Sequence, residues 1–171
     1  FDTDLGAMAI AYHGNKVIAL AFGHPTKSAA LRAVNRRVKD SGLEGEQDLV
    51  QELELDDLIH RLELFAEGEE VDFSDVQLDD SFGTDFQRRV LKACREIPWG
   101  ETRTYGELAK IAGRPGAARA VGTVMSSNRV PLIVPCHRVV PAGSGLGGFS
   151  APQGVKMKQR LLNLEQQPVA V

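Results

Sequence analysis

Two short apolar runs open the chain, "LGAMAIAY" at residues 5–12 and "VIALAF" at residues 17–22. The Gly14-Asn15 pair between them favours a tight turn, so the pattern predicts a hairpin of two antiparallel strands. Residues 28–38 and 48–65 instead repeat apolar side chains every three or four positions, which predicts two amphipathic helices. The apolar side of the second helix carries Leu55, Leu58, Leu62 and Phe65.

An acidic, turn-rich stretch at residues 66–83 follows the second helix. Such a stretch is typical of a boundary between domains. We therefore predict an acidic α/β domain over residues 1–80 and a second domain over residues 81–171.

Helices with recognisable ends dominate the second half. Thr84 with Gln87, and Thr104 with Glu107, fit capping boxes that begin two helices, and Gly113 is suited to end the second of them. "GVKMKQRLLNLEQQ" predicts a last helix, on which Leu161 and Glu165 share one face. From this spacing alone, Glu165 is expected at the edge of the core.

A helix-turn-helix is predicted at about residues 104–128, where a Gly/Pro turn joins two short helices. The second helix has little side-chain bulk apart from Arg119, because its neighbours are Ala117, Ala118, Ala120 and Gly122. Small residues suit close packing in a core. They equally suit close approach to a nucleic-acid groove.

Charge is divided unevenly along the chain. Residues 1–85 hold 7 Lys and Arg against 19 Asp and Glu, a net charge of −12, whereas residues 86–171 hold 13 against 4, a net charge of +9. A basic half of this kind indicates a polyanionic partner. Alternatively, the uneven charge allows two oppositely charged domains to dock on each other.

Composition narrows the class of protein further. The two cysteines, Cys94 and Cys136, stand 42 positions apart without a CxxC pattern, so we expect a reducing compartment and no disulfide. The histidines lack metal-ligand spacing, and no apolar run reaches the roughly 20 residues that cross a bilayer. We expect an intracellular protein, in the cytoplasm of a prokaryote or the nucleus of a eukaryote, without a metal site or membrane segment.

The most reactive pattern is "VPLIVPCHRVVPAG" at residues 130–143, where Cys136 and His137 adjoin. The pair could be a nucleophile and its base, half of a metal site, or an ordinary strand end. An adjacent imidazole or arginine favours the reactive thiolate. Neighbours in an extended strand point to opposite faces, however, so a shared task requires a tight turn, which Pro135 makes plausible.

The segment "PCHRVV" at 135–140 lies between "NRVPLIV" and "GLGGFS". Together with residues 86–128 and "LLNLE" at 161–165, it resembles the active-site signature of the O6-alkylguanine-DNA alkyltransferases, also called methylated-DNA–protein-cysteine methyltransferases. The resemblance covers roughly residues 82–165. It implies a ribonuclease H-like first domain and a mostly helical second domain, an α+β protein of two domains.

The resemblance also implies roles for individual residues. Cys136 would accept the alkyl group, and His137, through a bound water, would form with Glu165 the relay that activates the thiol. Tyr105 would help protonate the leaving guanine, and Asn128 would link the recognition helix to the cysteine turn.

The remaining implied residues contact DNA or the extruded base. Arg119 would take the place of the flipped nucleotide in the stack. The rest of the expected DNA face is Ala117, Ala118, Gly122 and Thr104, and the expected substrate pocket is Pro131, Val139, Phe149, Ser150 and Met125.

The function implied is repair of O6-alkylguanine, and of O4-alkylthymine, in double-stranded DNA by a monomer that reacts once and needs no cofactor. Phe149 stands where many members have tyrosine, and Ala151-Pro152-Gln153 where many have two glycines, which leaves the accepted alkyl size open. The competing hypotheses are a lesion-binding sensor, whose members lack the cysteine, and a cysteine hydrolase.

Overall fold

The computed structural model describes residues 1–40, 52–79 and 83–166. Within them, the chain forms two compact units, one of residues 1–79 and one of residues 83–166. The boundary predicted between residues 80 and 81 lies outside the described residues. Helices and short strands occur in both units, as expected of an α+β protein.

The first unit begins with the predicted hairpin. Strand β1, Ala7–His13, pairs antiparallel with strand β2, Lys16–His24, and Gly14 in the turn adopts a φ of 58°. Helix α1, Lys27–Lys39, packs on both strands and is capped by the Thr26 side chain, which accepts from the Ala29 amide. The apolar stripe of α1 meets the alanine-rich face of the hairpin, burying Ala19, Ala21 and Val34.

Helix α2, Glu52–Glu67, completes the first unit, and the start predicted at residue 48 lies outside the described residues. Its predicted apolar side is buried at Leu58, Leu62 and Phe65. Beyond it, the loop returns to the hairpin, where Leu78 forms a single bridge to Val17.

The second unit contains four helices: α3, Asp85–Arg95; α4, Tyr105–Ile111; α5, Ala118–Ser126; and α6, Val155–Leu164. Both predicted capping boxes are present, at Thr84 for α3 and Thr104 for α4. Gly113, with a φ of 79°, follows the end of α4 as predicted. Contacts among α3, α4 and α5 bury Leu108, Val121 and Val124.

A short parallel pairing connects the start of α4 to the cysteine segment. Strand β3, Arg103–Thr104, pairs with strand β4, Val139–Val140, which directly follows a 3-10 helix at Cys136–Arg138. Thr104, the last residue of β3, is also the N-cap of α4. The pairing brings Tyr105, the first residue of α4, to the same side of the unit as Cys136.

None of the helices in the described part of the chain has the length and apolar content needed to cross a membrane.

Candidate active site

Cys136 lies at the start of a tight turn rather than in an extended strand. The Val134 amide donates to Val130 O (2.9 Å), the Cys136 amide to Val134 O (2.8 Å), and the Arg138 amide to Pro135 O (2.9 Å). These successive bonds wind the chain into the 3-10 helix, and Cys136 is left 6% exposed. The tight turn that a shared task of Cys136 and His137 requires is therefore present.

Asn128 holds this turn from the end of α5. Its Nδ2 donates to Val134 O (2.8 Å), and its Oδ1 accepts from the Val130 amide (3.1 Å). The side chain is buried, so both bonds form away from solvent. The amide is suited to this place because it carries a donor and an acceptor on one short side chain.

His137 and Glu165 form a buried pair. His137 Nε2 lies 2.7 Å from Glu165 Oε1, and their side chains are 0% and 1% exposed. Glu165 sits just past the last residue of α6, and the expectation from spacing alone that it lies at the core edge is wrong. Because a carboxylate only accepts, a neutral His137 donates from Nε2 and keeps Nδ1 as its basic nitrogen.

Arg138 belongs to the same cluster. Its Nε donates to both oxygens of Glu165 (3.1 and 3.0 Å), its Nη2 to Glu165 Oε1 (2.9 Å), and its Nη1 to Ile97 O (2.6 Å). The Gly100 amide adds a longer bond to Glu165 Oε2 (3.3 Å). The guanidinium also lies 5.8 Å from the centre of the Trp99 ring.

These contacts shift the titration of the pair. Burial would raise the pKa of Glu165, but the hydrogen bonds from His137 and Arg138 outweigh it and hold that pKa below its usual range. Burial lowers the pKa of His137; the charges of Arg138 and Lys158 act in the same direction, and Glu165 opposes them. At neutral pH, the cluster therefore holds an ionised glutamate and an uncharged imidazole.

Lys158 of α6 is a second buried cation beside the cysteine turn. Its residue is 0% exposed, its Nζ donates to Val139 O (2.6 Å), and it lies 5.9 Å from the centre of the Tyr105 ring. Burial lowers its pKa, while charge on Cys136 and Cys94 acts against that shift. The ammonium is thus placed to attract negative charge that develops on the Cys136 sulfur.

Tyr105 lies between two glycines. A Cβ added to Gly147 would stand 3.0 Å from the Tyr105 hydroxyl, and one added to Gly122 would stand 3.9 Å from the ring. Burial raises the pKa of Tyr105, and charge on Cys136 adds to the shift. Tyr105 therefore remains a protonated phenol, able to donate a hydrogen bond near the thiol.

Cys94 of α3 is the other cysteine of the second unit. Its side chain is fully buried, and burial, followed by charge on Cys136, raises its pKa well above the ordinary thiol value. A protonated, fully buried thiol is a poor nucleophile, which makes Cys94 the weaker candidate of the two cysteines.

The predicted DNA-facing residues lie on the outer side of α5 and at the start of α4. Arg119 is exposed, whereas the small neighbours and the capping threonine are partly covered. Those partly covered residues are Ala117, Ala118, Gly122 and Thr104.

The predicted pocket residues lie on three segments. Met125 ends the buried side of α5, Pro131 and Val139 are buried on either side of Cys136, and Phe149 and Ser150 lie on the loop before α6. Of these, Val139 is in direct contact with the buried cation, through the bond from Lys158.

Sequence reasoning missed Arg138 and Lys158 as members of the cluster. Lys158 falls on the apolar stripe of α6, with Leu161 and Leu162. A lysine at such a position indicates a buried cation that needs a partner. Arg138 gave a weaker signal, because its partners lie 27 and 41 positions away in the chain. His, Cys, Asp and Glu of the described ranges form no group of three that could hold a metal ion.

The second unit thus brings together a cysteine in a tight turn, a buried histidine–glutamate pair and a phenol. A family model described as "6-O-methylguanine DNA methyltransferase, DNA binding domain" matches residues 85–167. The match includes the whole of this cluster, from Cys94 to Glu165.

Curated relatives and a solved structure agree with the family model. A methylated-DNA–protein-cysteine methyltransferase of Mycobacterium bovis is 49% identical over 108 residues, 63% of this chain and 63% of that protein. One of Sulfolobus acidocaldarius is 42% identical over 120 residues, 70% of this chain and 73% of that protein. The crystal structure of Mycobacterium tuberculosis OGT in complex with DNA is 36% identical, with a TM-score of 0.72 over 97% of this chain and 90% of that one.

The chain belongs to the methylated-DNA–protein-cysteine methyltransferase family. The resemblance read from the sequence is therefore confirmed.

Proposed function

We propose that this protein repairs alkylated DNA by moving an alkyl group from O6 of guanine, or O4 of thymine, to Sγ of Cys136. The observation that carries the proposal is the turn that sets Cys136 beside the buried His137–Glu165 pair. Family membership supports the substrate, since the curated relatives are named for methylated DNA and the family model for 6-O-methylguanine.

The proposed step is a single displacement. The S–C bond forms as the C–O6 bond breaks, so the alkyl group passes to Cys136 as a thioether and the electron pair of the broken bond stays on guanine. The thiol proton passes through the relay to His137 Nδ1, and Tyr105 donates a proton to the departing guanine. His137 then returns its proton to Tyr105, so that the thiol proton ends on the base. A thioether is not readily displaced, and each molecule therefore acts once.

DNA contact is assigned to α4 and α5, which we propose act as a helix-turn-helix. The exposed outer side of α5 carries Arg119 on a helix with little bulk, which supports close approach to a groove. A base inside the duplex is out of reach of Cys136, so the nucleotide must be flipped out at a cost of a few kcal/mol. Arg119 in the vacated stack offsets part of that cost. The M. tuberculosis relative was crystallised with DNA, which supports this partner.

The flipped base would enter between the cysteine turn and the loop before α6. In this proposal, Met125, Pro131 and Val139 form the buried wall, and Phe149 and Ser150 form the opposite side. Thr104, Ala117, Ala118 and Gly122 stay outside the pocket and face the DNA groove. Asn128, through its bond to Val134 O, holds Cys136 in place relative to the buried wall of the pocket.

We also propose that the first unit is a ribonuclease H-like domain and that the protein works as a monomer inside the cell. The hairpin with α1 packed against it agrees with such a domain. Size-exclusion chromatography with light scattering, with and without DNA, tests the monomer.

Turnover separates the proposal from its alternatives. The protein is incubated with excess duplex containing O6-methylguanine, and the repaired base is counted per protein molecule. The proposal predicts one repaired base per molecule and none for Cys136→Ser, with Cys94→Ser as the matched control that keeps activity. Lesion binding without repair would favour the sensor, and repeated turnover would favour the hydrolase.

Arg119 is tested by comparing two substrates. Arg119→Ala should slow reaction with O6-methylguanine in duplex DNA by at least about tenfold, and leave reaction with the free base O6-methylguanine near the wild-type rate. Equal losses on both substrates would contradict the finger role.

A further inference from the structure

Arg138 is a member of the buried cluster to which the proposed reaction gives no task. Its guanidinium contacts three parts of the second unit: Glu165 after α6, Ile97 after α3, and the Trp99 ring. Five donors in a planar fork allow these contacts at once, which a lysine could not provide. The arginine therefore fixes the Glu165 carboxylate in both position and orientation.

The pairing also cancels charge next to His137. Glu165 and Arg138 have 1% and 10% exposed side chains, so water screens their charges little. Other charged groups reach the imidazole from α6, where Lys158 lies, whereas Cys94 of α3 and Tyr105 of α4 face the neighbouring thiol. The imidazole thus meets a neutral ion pair instead of a lone carboxylate.

We propose that Arg138 is a positioning residue for alkyl transfer: it neutralises and orients Glu165, so that His137 is held as an uncharged base that can accept the thiol proton at Nδ1. The inference rests on the proposed function and concerns how His137 stays uncharged, so that it can accept a proton. Without Arg138, a buried carboxylate in contact with His137 would draw a proton onto the imidazole, and a charged imidazolium accepts none.

The consequence is a specific pH dependence. An unneutralised carboxylate in contact raises the pKa of a histidine by about 1–3 units. The rate requires neutral His137, so it is lost as pH falls through that pKa. In the wild type, burial and then the charge of Arg138 lower the His137 pKa, so the loss comes at acidic pH; in Arg138→Gln, it should move to higher pH.

Single-turnover methylation of Cys136 by an O6-methylguanine duplex, followed by intact mass, measures this shift. Arg138→Gln should be at least about tenfold slower than wild type near pH 6 and recover most of the difference near pH 9. Arg138→Lys keeps the charge without the fork, and should follow the wild-type pH profile at a lower rate throughout. Lys156→Gln is the matched control, since it removes an exposed positive charge from α6, the helix that leads to Glu165. A loss in Arg138→Gln that is equal at all pH values, or a gain at low pH, would overturn the proposal.

Arg138→Gln could fail to fold, because its loss removes the arginine partner of a buried carboxylate. The wild-type protein provides a second test through the 15N resonances of its His137 ring. The proposal requires a neutral ring with the proton on Nε2 at pH 7, and an imidazolium there would refute it. A wild-type protein that gains no methyl group would instead refute the proposed function, whatever the state of the ring.

Discussion

Asn128 is expected to be the main support of the cysteine turn. Its amide makes two buried bonds to the backbone, to Val134 O and from the Val130 amide. Asn128→Ala leaves both backbone groups, which are themselves buried, without this partner. Each orphaned buried group costs about 1–3 kcal/mol, so we expect a loss of about 2–4 kcal/mol in the free energy of unfolding, since the turn can partly relax.

Urea denaturation followed by tryptophan fluorescence measures this loss. Trp99 is the single tryptophan and lies in the second unit, beside Arg138. Ser126→Ala is the control, because its hydroxyl bond to Thr123 O is exposed and should change stability by less than about 0.5 kcal/mol. The methylation rate of Asn128→Ala should also fall, by about a hundredfold, as the nucleophile loses its position.

Asn128→Asp sharpens the test. The aspartate keeps the acceptor for the Val130 amide but turns a carboxylate oxygen toward Val134 O, where the amide had a donor. Burial beside a carbonyl raises the pKa of this aspartate above its unfolded value of about 3.9. The folded form therefore binds the proton more tightly, and the deficit in stability should shrink as pH falls through the raised pKa. An Asn128→Ala protein within about 0.5 kcal/mol of wild type, or an Asn128→Asp deficit independent of pH, would refute this role.

Three further substitutions test the surroundings of the site. Thr104→Ala removes the cap of α4 and should lower the free energy of unfolding by about 1 kcal/mol in urea denaturation. Glu107→Ala is its partner in a double-mutant cycle. An unchanged stability would contradict the capping role of Thr104. Lys158→Met keeps the shape of the side chain but removes the ammonium that donates to Val139 O. The single-turnover methylation rate should fall by about tenfold, and the free energy of unfolding should change by less than about 2 kcal/mol. An unchanged rate would contradict the electrostatic role of Lys158. Gly147→Ala places a methyl 3.0 Å from the Tyr105 hydroxyl at a φ of 72°, and should lower both stability and rate, whereas Gly148→Ala meets open space and should change neither.

Local signals in the sequence predicted the local structure well. Gly14-Asn15 predicted the hairpin, and the two threonines with their partners three residues later predicted where α3 and α4 begin. These features depend on residues a few positions apart, where backbone sterics and capping bonds decide the outcome. The pairing of Cys136 with His137 was also a local signal, although it did not decide the chemistry.

Local signals of this kind do not predict contacts between residues that are far apart in the sequence. Spacing placed Glu165 at the core edge, and the structure buries it because Arg138 and His137, almost thirty positions earlier, neutralise and bond its carboxylate. Only the family resemblance assigned Glu165 to the relay. Arg138 and Lys158 were overlooked because cations are usually exposed, and their burial depends on acceptors supplied by Ile97 and Val139.

Locating the transferred group tests the central claim most directly. After reaction with duplex DNA containing O6-methylguanine, the protein is digested and both cysteine peptides are examined by tandem mass spectrometry. We expect one methyl group, on Cys136, with Cys94 unmodified. A methyl group on Cys94, or an unmodified Cys136 after the base has been repaired, would contradict it.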